Sequence, residues 1–176
     1  MNNMFPVCVI FTGLPASGKT TIRDKVISAI TNTIGGRNYV YSTDDLVQMI
    51  ADDNGLTYSE AFEDSIDDAR RMADMGFGAA VREGMNIFVD ATTLTQESRK
   101  KFIDEVSKSH SLVSIFFDPP KSKKLRSELN FRLNNRPGKE IPLDVFENMV
   151  DSYEEPTMDE GFVEIFKLNI YGKVES

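Results

Sequence analysis

Apolar residues occur along the chain in two patterns, short continuous runs and longer stretches with helical spacing. The continuous runs are rich in Val, Ile, Phe and Tyr and predict β-strands at residues 6–12, 39–42, 86–89, 111–117 and 162–170. The stretches in which apolar residues recur every three or four positions predict helices at residues 20–30, from 43 onward, 59–82, 96–107, 121–133 and 143–152. Because strands alternate with helices, we expect an α/β fold with a mostly parallel five-stranded sheet between two layers of helices.

The connection between the first strand and the first helix carries a phosphate-binding pattern. Residues 13–20 read GLPASGKT, which matches GxxxxGK(S/T) in the strand–loop–helix context that this motif requires. Backbone N–H groups of such a loop and the N-terminus of the helix bind phosphate, Lys19 reaches the β- and γ-phosphates, and the Thr20 hydroxyl binds Mg²⁺. A glycine-rich turn without a ligand has no use for a lysine followed by a threonine. The motif therefore predicts ATP and Mg²⁺ as cofactors, with ATP contacts at Gly13, Ala16, Ser17, Gly18, Lys19, Thr20 and Thr21.

The size and charge of the chain restrict what it can bind. Its 176 residues suit a single domain, residues 1–176, and a hydrophobic content of 40% is typical of a globular protein. The net charge is −8, from 28 acidic and 20 basic residues, which argues against tight, sequence-independent binding of duplex nucleic acid over the whole surface. Any contact with a nucleic acid must therefore be local.

The N-terminal residues and the cysteine content predict the compartment. Residues 1–12 contain neither a basic segment nor an apolar stretch near 18 residues, so we expect neither secretion nor a membrane span. The single cysteine, Cys8, lies in the first apolar run, which excludes a disulfide framework and predicts a buried thiol. Together these features predict a cytoplasmic protein, located in the host cytoplasm if the source is a virus.

A pair of acidic residues follows the second predicted strand. We expect this strand to lie beside the first one, which would bring Asp44 and Asp45 to face the phosphate loop. Phosphoryl transfer to an alcohol needs a carboxylate that accepts the hydroxyl proton, and Asp44 is the predicted catalytic base. The alternative is that Asp44 or Asp45 caps the following helix, and both roles can hold with one residue each.

A third acidic residue, Asp90, ends the third predicted strand and begins the segment DATT. We expect Asp90 to hold Mg²⁺ through water or to orient the acceptor, with Thr92 beside it on the acceptor side. A residue that only starts a turn or helix would look similar. Arg99 follows on the next helix, where a contact with the acceptor and an exposed salt bridge are the two interpretations.

Basic residues concentrate after the fourth predicted strand, and residues 121–142 are predicted to form a lid. A lid carries mobile arginines that close over the phosphates and exclude water. Arg132 and Arg136 are four residues apart, so they could point the same way from one helix end and contact ATP. The alternative is a solvated surface helix. The basic residues of this segment are Lys121, Lys123, Lys124, Arg126, Arg132, Arg136 and Lys139.

With these motifs, nearly the whole chain resembles the polynucleotide 5′-hydroxyl kinase family of P-loop kinases, of the phage type and its relatives. The likeness is carried by GLPASGKT at 13–20, STDD at 42–45, DATTL at 90–94 with Arg99, Arg132 and Arg136 with KEIP at 139–142, and EEP at 154–156 with EGF at 160–162. The resemblance implies Asp44 as general base, Lys19 and Thr20 on ATP·Mg²⁺, and Arg136 on the nucleotide phosphates. It also implies a P-loop kinase-like three-layer sandwich with an arginine-bearing lid and an acceptor groove opposite the ATP site.

One departure from this family leaves the acceptor open. The family usually places an arginine that binds an acceptor phosphate soon after its acidic pair, whereas residues 45–48 read DLVQ. Candidate substitutes are Arg37, Arg70, Arg71 and Arg82. The first hypothesis is a kinase acting on a nucleic-acid 5′-hydroxyl. The alternatives are a kinase for hydroxymethylated DNA bases such as 5-hydroxymethyluracil, as in DNA modification, a small-molecule hydroxyl kinase, and a P-loop nucleotide switch or toxin-like protein.

Overall fold

The central sheet contains five parallel strands in a computed structural model that describes residues 5–136 and 141–174. The strand order is β2-β3-β1-β4-β5, and every neighbouring pair is parallel. The α/β fold with a parallel five-stranded sheet is thus confirmed. The strands are β1 Val7–Thr12, β2 Asn38–Tyr41, β3 Asn86–Asp90, β4 Ser111–Phe117 and β5 Glu164–Leu168.

Helices cover both faces of the sheet and differ from the predicted ranges mainly at their ends. Within the described residues none of them is long and apolar enough to span a bilayer. The helices are α1 Lys19–Ile34, α2 Thr43–Asn54, α3 Tyr58–Arg82, α4 Gln96–Val106, α5 Lys123–Asn134 and α6 Leu143–Asp151, with a short 3-10 helix at Met158–Glu160.

Strand β1 is buried along its whole length because both of its faces are covered. Val9 and Phe11 pack in the cluster that α1 covers, whereas Cys8 and Ile10 pack in the cluster formed with α3 and α4. This explains why the strand reads as a continuous apolar run. Cys8 is fully buried, as predicted, and burial raises the pKa of its thiol to about 12, so the thiol stays protonated.

The strand order corrects one expectation. We expected the second strand to lie beside the first, but β3 occupies that place and pairs Phe11 with Asp90. Strand β2 pairs with the outer side of β3. Asp90 therefore adjoins the phosphate loop directly, and Asp44 follows a strand one position further out.

A separate apolar cluster lies at the carboxyl edge of the sheet. Leu129 and Leu133 of α5 and Phe146 of α6 pack there with Leu14 of the phosphate loop. Since Leu14 belongs to the loop itself, α5 is held against the edge where the strand ends carry their polar residues. The fold thus places the helix of the predicted lid next to the candidate site.

Candidate active site

The loop between β1 and α1 leaves little room for a side chain at position 13 and has left-handed backbone conformations at positions 16 and 18. A Cβ atom on Gly13 would lie 2.8 Å from the Ser17 hydroxyl oxygen, closer than real contacts allow, and 3.1 Å from Cβ of Phe117, which is a tight contact. Ala16 and Gly18 have φ values of 63° and 100°, in the left-handed region. These turns form the loop immediately before Lys19, where α1 begins and its N-terminus adds partial positive charge.

Two side chains of this loop fit a phosphate group. The Lys19 ammonium donates hydrogen bonds to the carbonyl oxygens of Gly13, at 2.6 Å, and Leu14, at 3.0 Å, so it lies across the loop. The Ser17 hydroxyl oxygen is buried and has no hydrogen-bond partner among the described protein atoms. A buried hydroxyl without a partner costs about 1–3 kcal/mol, and a bound phosphate oxygen would remove that cost.

The hydroxyl of Thr20 donates to the Asp90 carboxylate at 3.2 Å. Burial raises the pKa of Asp90, while the positive charges of Lys19 and Arg23 oppose that shift. A hydroxyl and a carboxylate at this separation fit Mg²⁺, which takes one or two protein ligands and completes its shell with phosphate oxygens and water. Among the described residues, no group of three or more Asp, Glu, His or Cys side chains could hold a metal alone. A magnesium ion at this pair would depend on the nucleotide as well.

Arg23 occupies the centre of the acidic cluster, although the sequence analysis did not single it out. One of its terminal nitrogens donates to Asp45 at 2.7 Å and to Asp90 at 3.1 Å, and its Nε donates to Asp24 at 3.0 Å. Its side chain is only 11% exposed. The available signal was its position three residues after Thr20, which puts both residues on one helix face.

The helix cap of α2 resolves the roles left open for the acidic pair. Ser42 is the capping residue, because its hydroxyl accepts from the Asp45 backbone N–H at 3.1 Å. The alternative that Asp44 or Asp45 caps this helix is therefore wrong. Asp45 pairs with Arg23, and the exposed Asp44 accepts a hydrogen bond from the Tyr58 hydroxyl at 2.9 Å.

Arg136, in the predicted lid just after the end of α5, lies within electrostatic range of this pair. Burial and the negative charge of Asp44 raise the pKa of Tyr58, whereas the positive charge of Arg136 lowers it. Helix α5 begins beyond β4 and packs on Leu14, and Arg136 follows its last turn. The helix therefore crosses the carboxyl edge from the β4 side toward Asp44. Residues 137–140, including Lys139 of the predicted lid, lie outside the described residues.

Arg132 does not point toward the phosphate loop. Its guanidinium donates to the carbonyl oxygen of Ile170 at 2.8 Å and to Glu128 at 2.6 Å, and lies 5.5 Å from the centre of the Tyr171 ring. The turn after β5 holds Arg132, and a direction shared by Arg132 and Arg136 stays a prediction. A cavity of about 220 Å³ lies beside this turn, lined by Asp118, Pro119, Lys121, Leu125, Asn169, Ile170 and Tyr171.

Arg99 lies outside the site, and both interpretations offered for it are wrong. Its side chain is fully buried and binds both carboxylate oxygens of Glu160, at 2.7 and 2.8 Å. It also donates to the carbonyl oxygens of Thr93 and Glu154. Arg99 therefore joins α4 to the segments before β5 and has no surface to offer an acceptor. Thr92, two residues beyond the end of β3, is exposed.

Four arginines were considered as substitutes for the missing acceptor arginine, and each of them pairs with other residues or lies at the opposite edge of the sheet. Arg37 precedes β2 and pairs with Glu83, and Arg82 ends α3 just before β3, so both lie at the amino edge of the sheet. Arg70 and Arg71 form exposed pairs with acidic residues three positions earlier on α3. Arg23 is instead the arginine that the structure brings to the acidic pair.

Comparison with known proteins assigns the chain to a protein family. A family model described as an AAA domain matches residues 8–156, which is most of the chain. No curated protein sequence matches it significantly.

Solved structures share the fold. A chain of the Pnkp1/Rnl/Hen1 RNA repair complex is 24% identical with a TM-score of 0.60, over 86% of this chain and 45% of its own length. Kti12 of Chaetomium thermophilum, in complex with ADP-AlF3, is 20% identical with a TM-score of 0.62, over 92% and 88% of the two chains. A sugar kinase from Janibacter sp. HTCC2649 is 17% identical with a TM-score of 0.54, over 96% and 87%. At these identities the similarities establish the P-loop kinase-like fold, and the chain spans less than half of the RNA repair protein it matches.

Proposed function

The chain belongs to the AAA domain family whose model it matches, and from that premise we propose that it is an ATP-dependent kinase that phosphorylates a nucleic-acid 5′-hydroxyl. The observation that carries this proposal is the arrangement at one edge of the sheet. Thr20 and Asp90 meet there beside the phosphate loop, and Asp44 lies beyond them, connected through Asp45 and Arg23. A nucleotide on one side and a carboxylate on the other are the two halves that phosphoryl transfer requires.

On the ATP side, the proposed contacts come from the phosphate loop, the end of β3, the predicted lid and the turn after β5. Lys19 exchanges its two carbonyl partners for the β- and γ-phosphates, and the Ser17 hydroxyl gains the partner that it lacks. Thr20 and Asp90 would hold Mg²⁺, whose charge would neutralise the phosphate oxygens. The cavity beside Tyr171 suits the nucleoside, since Gly172 of the same turn approaches Ile22 in the first turn of α1. Arg132 then acts on the nucleoside side and Arg136 on the phosphates.

On the acceptor side, Asp44 acts as the general base. Its carboxylate takes the proton of the acceptor hydroxyl while the oxygen bonds to the γ-phosphorus and the bond to the departing ADP breaks. Three features support this role: Asp44 is exposed, it does not cap its helix, and the Tyr58 hydroxyl contacts it. The charge of Arg136 acts on Tyr58 beside Asp44, and Arg136 would supply positive charge to the transferring group.

Two features support a nucleic acid as the acceptor. The sequence motifs resemble the polynucleotide kinase family over nearly the whole chain, and the matched chain of known structure belongs to an RNA repair complex. Asp45, Thr92 and Asp90 line the proposed acceptor side together with Asp44. Arg99 has no part in it, because it is buried against Glu160.

A second candidate, a small-molecule hydroxyl as the acceptor, is favoured by the state of Arg23. This cation is already bound to Asp24, Asp45 and Asp90, so its charge is committed to carboxylates before any acceptor phosphate binds. A small-molecule acceptor without phosphate groups does not need an arginine at this position. The fold similarity to a sugar kinase over 96% of the chain is consistent with this alternative.

Transfer of labelled γ-phosphate across a panel of acceptors tests the proposal. The panel contains a single-stranded oligonucleotide with a 5′-hydroxyl, the same strand already carrying a 5′-phosphate, duplex DNA containing 5-hydroxymethyluracil, and simple sugars. We expect label on the 5′-hydroxyl strand and none on its 5′-phosphorylated control. If label appeared only on the modified duplex or only on sugars, the proposed 5′-hydroxyl acceptor would be wrong. The proposed mechanism of phosphate transfer from ATP would still stand. Hydrolysis of ATP with no labelled acceptor would support a nucleotide switch.

A further inference from the structure

Tyr58 is a buried tyrosine that the proposed mechanism does not itself require. It is the first residue of α3, and it is only 8% exposed. Its hydroxyl donates to Oδ1 of Asp44 on α2, 14 residues earlier. We propose that Tyr58 is a positioning residue that fixes the Asp44 carboxylate for proton transfer. The inference rests on the proposed function, because it assigns Tyr58 a role at the same base.

The start of α3 does not need Tyr58. Thr57 caps the helix by accepting from the Glu60 backbone N–H at 3.3 Å, and the Glu60 carboxylate accepts from the Thr57 backbone N–H at 2.7 Å. This reciprocal arrangement satisfies two of the terminal backbone donors without Tyr58. The Tyr58 hydroxyl instead bonds outside its own helix, to Asp44 on α2.

The ring of Tyr58 is held where α2 and α3 pack together. It forms an apolar cluster with Val47 and Ala69, and the centre of its ring lies 5.6 Å from that of Phe62. Removing the hydroxyl alone would leave these apolar contacts in place. Because the ring is fixed, its hydroxyl is a fixed donor beside a carboxylate that is otherwise exposed. Holding a reacting group in one orientation before the reaction lowers the entropy cost of reaching the transition state.

The charges around this contact agree with a donor role for Tyr58. Burial and the charge of Asp44 keep the pKa of Tyr58 above its ordinary value, so the hydroxyl retains its proton while Asp44 titrates. Among the described residues, the charged groups that face it include Asp44 and, through Asp45, Arg23 from the α2 side, and Arg136 from the α5 side. A hydrogen bond donated to a carboxylate favours its charged form. Removing the hydroxyl should therefore raise the pKa of Asp44 relative to the wild-type protein.

The substitution Tyr58→Phe keeps the ring and deletes the donor, and Tyr41→Phe is its matched control. The Tyr41 hydroxyl also donates to a carboxylate at 2.9 Å, but that carboxylate belongs to Asp74, which lies 16 residues further along α3 than Tyr58. We expect Tyr58→Phe to lower kcat about tenfold, on the scale of one hydrogen bond to a charged group, and to leave the KM for ATP unchanged. Tyr41→Phe should leave both values at the wild-type level.

The Asp44 carboxyl titration, followed by carbon-13 NMR, separates positioning from a loss of packing. A raised Asp44 pKa in Tyr58→Phe, together with the kcat loss, supports the proposal. An Asp44 titration identical to that of the wild type, or a kcat equal to that of Tyr41→Phe, overturns it. A wild-type protein that transfers phosphate to no acceptor would instead overturn the proposed function, and the titration would still report whether Tyr58 contacts Asp44.

Discussion

The hydroxyl of Thr20 lies 3.2 Å from the carboxylate of Asp90, although 70 positions separate them in the sequence. Parallel pairing of β1 with β3 brings them together, because Asp90 is in register with Phe11 just before the phosphate loop. Because of this contact, the phosphate loop has a carboxylate beside it, and the two together form a candidate site for a nucleotide and a metal ion. Asp90 is in turn joined through Arg23 to Asp45, the neighbour of Asp44.

The first prediction concerns the metal requirement. Asp90→Asn should raise the Mg²⁺ concentration for half-maximal transfer by about tenfold or more, since loss of even an outer partner of a metal has effects of this size. Burial raises the pKa of Asp90, so protons should compete with Mg²⁺ at a higher pH than for an exposed aspartate. The apparent Mg²⁺ affinity should therefore fall as the pH is lowered through that raised pKa.

Magnesium titrations of transfer over a pH series measure both effects. Asp104→Asn, which removes an exposed carboxylate paired with Lys100, is the control and should behave like the wild type. An unchanged Mg²⁺ requirement in Asp90→Asn would show that the metal is held elsewhere.

The second prediction concerns Arg23. Arg23→Gln should lower the free energy of unfolding by about 1–3 kcal/mol, because it leaves three carboxylates near one another without their shared cation. This range is below that of a fully buried pair, since the side chains of Asp24 and Asp45 are more than half exposed, at 67% and 54%. Urea denaturation measures the change. Arg37→Gln removes an exposed pair with Glu83 and should cost less than about 1 kcal/mol, and equal losses in both variants would contradict the central position of Arg23.

The third prediction concerns Arg99. Arg99→Met leaves Glu160 buried without its partner and should cost about 3–5 kcal/mol of unfolding free energy. For the fraction that remains folded, the KM for the acceptor should not change. Arg126→Met, which removes a partly exposed pair with Glu147, should cost less than about 1 kcal/mol. If the Arg99→Met protein were stable and had a raised KM for the acceptor, Arg99 would contribute to acceptor binding and the prediction would be wrong.

Local sequence patterns were sufficient to predict the parts of the fold that depend on near neighbours. Strands buried on both faces read as continuous apolar runs, and the phosphate loop is defined by eight consecutive residues. The cap of α2 also had a local signal, since Ser42 stands three positions before Asp45 in the spacing typical of a capping residue. The strand order could not be predicted from local patterns. The chain passes from β1 to β2 without pairing these two strands, and β3, which comes later in the sequence, lies between them.

The side-chain partners of the site depend on contacts between distant segments. Arg23 meets Asp45 and Asp90, which are 22 and 67 positions away, and neither distance leaves a pattern in a single sequence. Arg99 and Glu160 are 61 positions apart, so a buried pair looked like a surface arginine. The same limit applies to Arg132, whose partners lie in the turn after β5.

The most direct test of the proposed mechanism compares Asp44→Asn with the wild-type protein in transfer of γ-phosphate to a 5′-hydroxyl oligonucleotide. Asp53→Asn, which changes an exposed aspartate near the far end of α2, is the control and should transfer phosphate at the wild-type rate. We expect Asp44→Asn to lose transfer by a factor of about 10² to 10⁴, the range for a general base, while ATP binds with unchanged affinity. Transfer by Asp44→Asn at close to the wild-type rate would contradict the assignment of Asp44 as the base.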